Sequence, residues 1–332
     1  MALQTTLNAM LRVEHPILLA PMDIVADARL TLAVADAGGY GFLGGGYGDE
    51  AWLKRELVEL AGPARARGVP FGVGFIAWSL ARKPELLHIA LEHGANAIWL
   101  SFGDPAPFAA QIKAAGAKLV CQVQTEAMAK AALDAGADIL VAQGAEAGGH
   151  GVSRGLSTLV PAVADLAGPR VPVVAAGGIA DGRGLAACLM LGAAGVALGT
   201  RFYATAEAAG FQAAKQRIVD ASGDDSLRSV VFDVSRRNVW PAPFTGRCLI
   251  NAHLQRWAGR ELDLMRAIDA EGPRYAAARA AGDFDTAAVI AGEAAALIHD
   301  IPSAAEVIRR MCDSATELLR DGARFLSRGS GM

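Results

Sequence analysis

Val171-Pro-Val-Val-Ala-Ala-Gly-Gly178, a helix-like segment from Gly184 to Leu191, and Gly195-Val-Ala-Leu-Gly-Thr-Arg-Phe202 together make one full period of the pattern that decides the fold. A short β-rich run passes through glycines into the helix-like segment, Gly192 closes that segment, and a second β-rich run follows. Glycine suits the left-handed position at which helices end. The same unit recurs upstream. Its strands read as Ile17-Leu18-Leu19, Tyr40 to Leu43, Phe71 to Phe75, Ala97 to Leu100, Leu119 to Cys121 and Ile139 to Val141. Helix-like stretches such as Ala28 to Ala37 and Glu126 to Ala135 lie between them, and Gly38, Gly94, Gly116 and Gly136 close several. Eight alternations of strand and helix predict a parallel sheet rolled into an α/β (β/α)8 TIM barrel. A doubly wound open sheet is the alternative, and the chain lacks the early GxGxxG fingerprint expected of it.

All eight strands are used by about residue 200, so the last outer helix must come later. Ser303-Ala-Ala-Glu306 has the form of a capping box and precedes Val307, Ile308, Met311, Ala315, Leu318 and Leu319 at helical spacing. The expected organisation is therefore a cofactor-binding (β/α)8 barrel domain over 1–210 and 296–332. An inserted, mostly helical subdomain over 211–295 precedes the last barrel helix and covers the active site.

Composition narrows the function. Of 332 residues, 53% are hydrophobic and 20% charged, with mean hydropathy +0.30. Parallel strands buried on both faces account for so apolar a chain. The longest apolar candidate for a membrane span, Leu185 to Leu198, is broken by Gly192 and Gly195 and is too short. Met1 to Pro16 lacks the basic-then-apolar order of a secretory signal, so a cytoplasmic protein is expected. The net charge of -3 and the absence of a basic run argue against nucleic acid as a partner. Cys121, Cys188, Cys248 and Cys312 are far apart and read as packing residues rather than a disulfide frame or zinc site.

In barrels of this kind chemistry gathers where the strands end at their C-terminal side. Gly177-Gly178 before a helix, with Gly199-Thr200 one strand later, would offer backbone N–H donors and a helix N-terminus to a phosphate. No lysine falls at a strand end, which disfavours Schiff-base chemistry. Asp23, Asp104, Glu146 and His150 come from separate loops without ligand spacing, so no metal is expected. The remaining loops are neutral, glycine-rich and amide-bearing. They suit a flat ring system anchored by one phosphate, and flavin mononucleotide fits. His150, at the end of Asp138-Ile-Leu-Val-Ala-Gln-Gly-Ala-Glu-Ala-Gly-Gly-His150, is the one candidate for moving a proton near neutrality. Trp240 and Phe244 read as a buried aromatic cluster that could otherwise cover substrate. Tyr47 and Trp78 follow strand ends, Asp104 reads as a helix cap, and His299-Asp300 reads as structural.

Ala142-Gln-Gly-Ala-Glu-Ala-Gly-Gly-His150, Ala175-Ala-Gly-Gly-Ile-Ala-Asp-Gly-Arg-Gly184 and Leu198-Gly-Thr-Arg-Phe202 carry a family resemblance. In these motifs, and over nearly its whole length, the chain resembles the nitronate monooxygenases, also called 2-nitropropane dioxygenases, which are FMN-dependent barrels. The resemblance implies that Pro21 and Met22 lie against the flavin ring and that Gln122 meets its pyrimidine edge. It implies that Gly148 and Gly149 flank the flavin, that Gly177 and Gly178 bind its phosphate with Gly199 and Thr200, and that His150 is the catalytic base. Gly74 falls at a cofactor-contacting position where many relatives have asparagine. The implied reaction oxidises an alkyl nitronate or nitroalkane with O2 to a carbonyl compound and nitrite. An NAD(P)H-dependent FMN reductase with a quinone or enoyl-thioester acceptor is one alternative, and a non-redox phosphate-binding barrel is another. The oligomeric state is open, and a homodimer is compatible.

Overall fold

The computed structural model describes residues 3–322. Its strands, numbered in chain order, include eight that form one parallel sheet. These are β1 (Ile17–Leu19), β2 (Gly41–Gly44), β3 (Phe71–Ile76), β4 (Ala97–Ser101), β5 (Lys118–Val123), β6 (Ile139–Gln143), β8 (Val173–Ala176) and β9 (Gly195–Leu198). β7 (Gly149–Gly151), β10 (Ser226–Ser229) and β11 (Thr245–Leu249) form a separate antiparallel sheet in the order β10-β11-β7. β1 pairs with β9, placing Ile17 opposite Val196 and Leu19 opposite Leu198. A parallel bridge between Leu18 and Tyr40 then joins β1 to the approach of β2. That bridge closes the ring, and the fold is the (β/α)8 barrel expected from the alternation.

The apolar runs are explained by burial on both sides. Ile17, Leu19, Leu43, Val73, Ile98 and Leu140 point outward into the layer beneath the helices. Leu18, Phe42, Trp99, Val120, Val141 and Val174 fill the interior. Period-two alternation is therefore present in space but invisible in hydropathy. A helix over Thr6–Leu11, which sequence reading did not foresee, sends Leu7 and Leu11 into that interior cluster. Thr5 caps it in a capping box with Asn8, and its hydroxyl donates to the Ala194 carbonyl at 2.6 Å, just before β9. The helix thus plugs the N-terminal end of the barrel and leaves the other end for chemistry.

The last helix, Ala304–Asp321, packs against the helices Gly182–Met190 and Ala28–Asp36, in the eighth outer position. The contact is close: a Cβ on Gly182 would lie 2.6 Å from the Ala315 nitrogen. Only half of the expected capping box forms. Ser303 accepts from the Glu306 amide, but the Glu306 carboxylate turns to Arg309 and Arg310 instead of back to the cap. Burial makes Cys121, Cys188, Cys248 and Cys312 packing residues, with each thiol pushed up to about 12.

Between Tyr203 and Ala304 the chain leaves the barrel. Helices such as Gln212–Asp220 and Ile268–Ala281 dominate this insertion. It has a small core of its own, built from Val231, Phe232, Leu254, Trp257, Leu264 and Tyr275. It also contributes β10 and β11, and β11 pairs with β7 of the barrel loop, so that Gly246 faces His150. Of the domain bounds drawn from sequence, residues 1–2 and 323–332 lie outside the described residues. No helix among the described residues is long and apolar enough to cross a membrane.

Candidate active site

At the C-terminal end of the barrel strands a cavity of about 330 Å³ opens beneath the insertion. It brings together residues from four loops and two strands: Pro21 and Met22 after β1, Gly74 in β3, Gln122 in β5, the Gly148-Gly149-His150 turn, Gly177-Gly178 after β8, and Gly199-Thr200 after β9. Every position expected from the sequence to be catalytic or to contact the cofactor therefore lines one space.

The turn bearing His150 is held rigidly. Gly149 has φ +76°, a conformation that disfavours side chains, and a Cβ on Gly148 would lie 2.7 Å from the Ala291–Gly292 backbone. The Arg228 guanidinium donates to the carbonyls of Ala145, Ala147 and Gly149 at 3.0, 3.2 and 3.3 Å. Arg247 adds a bond to the Ala145 carbonyl at 3.1 Å. Glu146 is used the same way. Its carboxylate accepts the Leu156 amide at 2.9 Å, and Asp104 accepts the Ala106 amide at 2.9 Å, although the cap position of the helix Ala106–Ala114 is held by Pro105. Among the described residues no group of three or more His, Cys, Asp or Glu is placed to hold a metal ion.

His150 is only 8% exposed. Its Nε2 lies 2.9 Å from Oδ2 of Asp233, and Oδ1 of Asp233 accepts from Arg236 at 2.7 Å. The ring stacks on Trp240, with centroids 3.4 Å apart and planes 8° apart. The Trp240 indole N–H donates to the Tyr47 hydroxyl at 3.1 Å. Burial pushes the Tyr47 phenol up to about 12, so it stays neutral. Burial also holds the imidazole below its ordinary histidine value, and the hydrogen bond and charge of Asp233 oppose that shift. Among the described residues Nδ1 makes no hydrogen bond, yet it is not sealed off from solvent. The imidazole therefore keeps one nitrogen available at the cavity wall.

Trp240 forms part of that wall, whereas Phe244 is a buried partner of Phe102 at 5.2 Å and Trp78 stands behind Trp240 at 5.3 Å. His299-Asp300 is structural through Asp300, which braces Arg201 at 3.1 Å. Asp233 and Gln143 went unrecognised in the sequence. No spacing rule ties Asp233 to a histidine 83 positions earlier, because the tertiary pairing of β11 with β7 makes the connection.

The barrel floor is a chain of amides. Gln122 accepts from Ser101 at 3.2 Å and from Trp99 at 3.3 Å, and donates to Gln143 at 2.9 Å. Gln124 donates to the same Gln143 oxygen at 2.8 Å. The donor left for a ligand is Nε2 of Gln143, which has no partner among the described residues and is not buried away.

The phosphate expectation needs one correction. The helix after Gly177-Gly178 starts only at Gly182, and Asp181 already accepts from its Arg183 and Gly184 amides at 2.9 and 3.3 Å. A carboxylate occupies that helix N-terminus, so it offers nothing to a second anion. The available donors are the Gly177, Gly178, Gly199 and Thr200 amides, which find no protein acceptor among the described residues. Gly177 and Gly178 have φ +107° and +70°, and Thr200 opens the short helix Thr200–Tyr203. Unpaired amides converging from two adjacent strand ends fit an anion.

Gly74 also has a steric reason. A Cβ there would lie 2.2 Å from Cβ of Pro21. Asparagine cannot enter without displacing the β1 loop. Gly74→Asn is expected to cost about 1–3 kcal/mol through overpacking, read as a lower denaturation midpoint at unchanged m-value.

A family model described as nitronate monooxygenase matches residues 4–314. The chain is 35% identical to nitronate monooxygenase npaC of Metarhizium robertsii over 90% of each chain. Among solved structures, FabK from Thermotoga maritima superposes with a TM-score of 0.84 at 27% identity, covering 98% of this chain and 100% of that one. Nitroalkane oxidase from Streptomyces ansochromogenes gives a TM-score of 0.80 at 27% identity, covering 94% and 99%.

Proposed function

The chain belongs to the nitronate monooxygenase family, and on that premise we propose that it oxidises alkyl nitronates and small nitroalkanes with O2 to carbonyl compounds and nitrite, using FMN held at the barrel mouth. The observation that carries this reading is the His150 imidazole, anchored through Nε2 while Nδ1 has no partner among the described residues, on the wall of a cavity lined by amides that likewise find none among them. FMN, when bound, supplies the electron transfer between nitronate and O2. The Gly177, Gly178, Gly199 and Thr200 amides would hold its phosphate, Gln143 and Gln122 the polar edge of its ring, and Pro21, Met22, Gly148 and Gly149 its flanks. Gly74, by letting Pro21 pack closely, shapes the loop on which the ring would rest.

What the chain itself does is move a proton and exclude water. A nitro group acidifies the adjacent C–H bond. Neutral imidazole can then take the proton at Nδ1, and the bonding pair passes into the nitro group to give the nitronate. Residues 211–295 serve as a helical subdomain covering the site, and supply Asp233 and Trp240 to it.

The test is direct. Purified protein should be yellow and should release nitrite from a preformed alkyl nitronate; colourless protein that cannot be reconstituted with FMN would rule the reading out. Rapid anaerobic bleaching by NADH would instead favour a reductase. The pH profile carries a sign. The groups facing His150 are Asp233, Arg236 and Arg228, and burial outweighs the acidic one. A lowered imidazole pKa keeps the base neutral at lower pH. Consequently kcat/KM on a neutral nitroalkane should hold steady down through about pH 6.5 and fall only below it, while turnover of nitronate should lack this limb.

A further inference from the structure

We propose that Asp233, contributed by the insertion, is a positioning residue that fixes the proton of His150 on Nε2 and so makes Nδ1 the basic atom. The inference rests on the preceding reading of His150 as the base, and adds to it the device that selects which nitrogen works. Asp233 is 5% exposed, and both its oxygens are committed: Oδ2 to the imidazole at 2.9 Å, Oδ1 to the Arg236 guanidinium at 2.7 Å. A carboxylate only accepts, so the imidazole must donate from Nε2. Nδ1 is then the lone-pair nitrogen, and it is the one that no group among the described residues uses.

The arrangement also fixes the ring itself. Turning it over would put Cε1 in the place of Nε2 and lose the bond to Asp233. Tilting it would break the stack on Trp240. When Nδ1 takes a proton, the positive charge is shared through Nε2–H with a carboxylate already 2.9 Å away. Both Asp233 and Trp240 come from the insertion, whereas His150 belongs to the barrel loop. The base is therefore assembled across the β7–β11 junction.

Arg236 makes the proposal sharp. Guanidinium is a donor only, so in Asp233→Asn it demands the amide oxygen and leaves the NH2 group facing Nε2. The imidazole must then accept at Nε2 and carry its proton on Nδ1, where it cannot act as a base. Two-bond ¹H–¹⁵N correlation spectra of ¹⁵N-histidine-labelled protein read this directly, with the His150 signals assigned by their loss in His150→Ala. Wild type should show the Nε2–H tautomer and Asp233→Asn the Nδ1–H tautomer. Nitroalkane turnover should fall at least about 100-fold in Asp233→Asn, while FMN content and nitronate turnover stay within about threefold. A wild-type proton on Nδ1 would overturn the proposal without needing any variant at 233. An unchanged tautomer in Asp233→Asn, or equal losses on both substrates, would overturn it as well. If instead His150→Ala left nitroalkane turnover intact, the functional reading would fail while the tautomer result stood by itself.

Discussion

Replacing His150 by alanine is expected to lower turnover of a neutral nitroalkane by about 10³-fold while slowing preformed nitronate less than about tenfold. The split follows from where the imidazole acts. A nitroalkane must lose a proton before oxidation, and Nδ1 of His150, whose Nε2 is engaged by Asp233, is the proposed acceptor. A nitronate arrives without that proton and needs only to be held. The loss corresponds to about 4 kcal/mol of transition-state stabilisation, within what one positioned general base supplies. FMN occupancy should be unchanged, because the amides proposed to hold its phosphate lie on the loops after β8 and β9 and not on the His150 side chain. Nitrite release from both substrates, normalised to flavin absorbance, measures the split. Equal losses on the two would place His150 in binding or structure instead.

Much of this site could be read from the chain because a barrel converts order along the sequence into position around a ring. Each strand end must face the same mouth, so Met22, Gln122, Gly178 and Thr200 converge without any knowledge of their contacts. The alternation was equally legible, since strands such as β6 and β8 are buried on both faces and read as apolar runs. What remained hidden depends on side chains meeting across the fold. Asp233 reaches His150 only because β11 docks on β7, and both strands are too short to stand out. Trp240 looked like a core aromatic, and its role as a wall follows from a stack that no periodicity encodes. Asp181 shows the opposite error. The sequence suggested a free helix N-terminus after Gly178, but a side chain three residues further on already fills it.

Removing the conformational freedom of the proposed phosphate cradle should be as damaging as removing the proposed base, through binding instead of chemistry. Gly177 and Gly178 hold φ +107° and +70°, and a Cβ on Gly177 would come within 3.1 Å of Ala147 and of the Gly144 carbonyl. A Gly177→Ala/Gly178→Ala protein must therefore strain its backbone by about 1–3 kcal/mol per residue or swing the turn away. Either response withdraws the two amides from the cradle they are proposed to form with Gly199 and Thr200. FMN affinity should weaken at least about 100-fold, or about 2.7 kcal/mol, measured by fluorescence titration of apoprotein. The fold should survive, because the helix that follows keeps its own cap in Asp181. An unchanged far-ultraviolet spectrum with colourless protein after dialysis is the expected result. Retention of FMN at wild-type affinity would move the anion site away from these glycines. Because Gly199 and Thr200 belong to a separate strand end, added FMN at high concentration should restore turnover on nitronate with kcat near wild type, which separates a weakened cradle from a damaged centre.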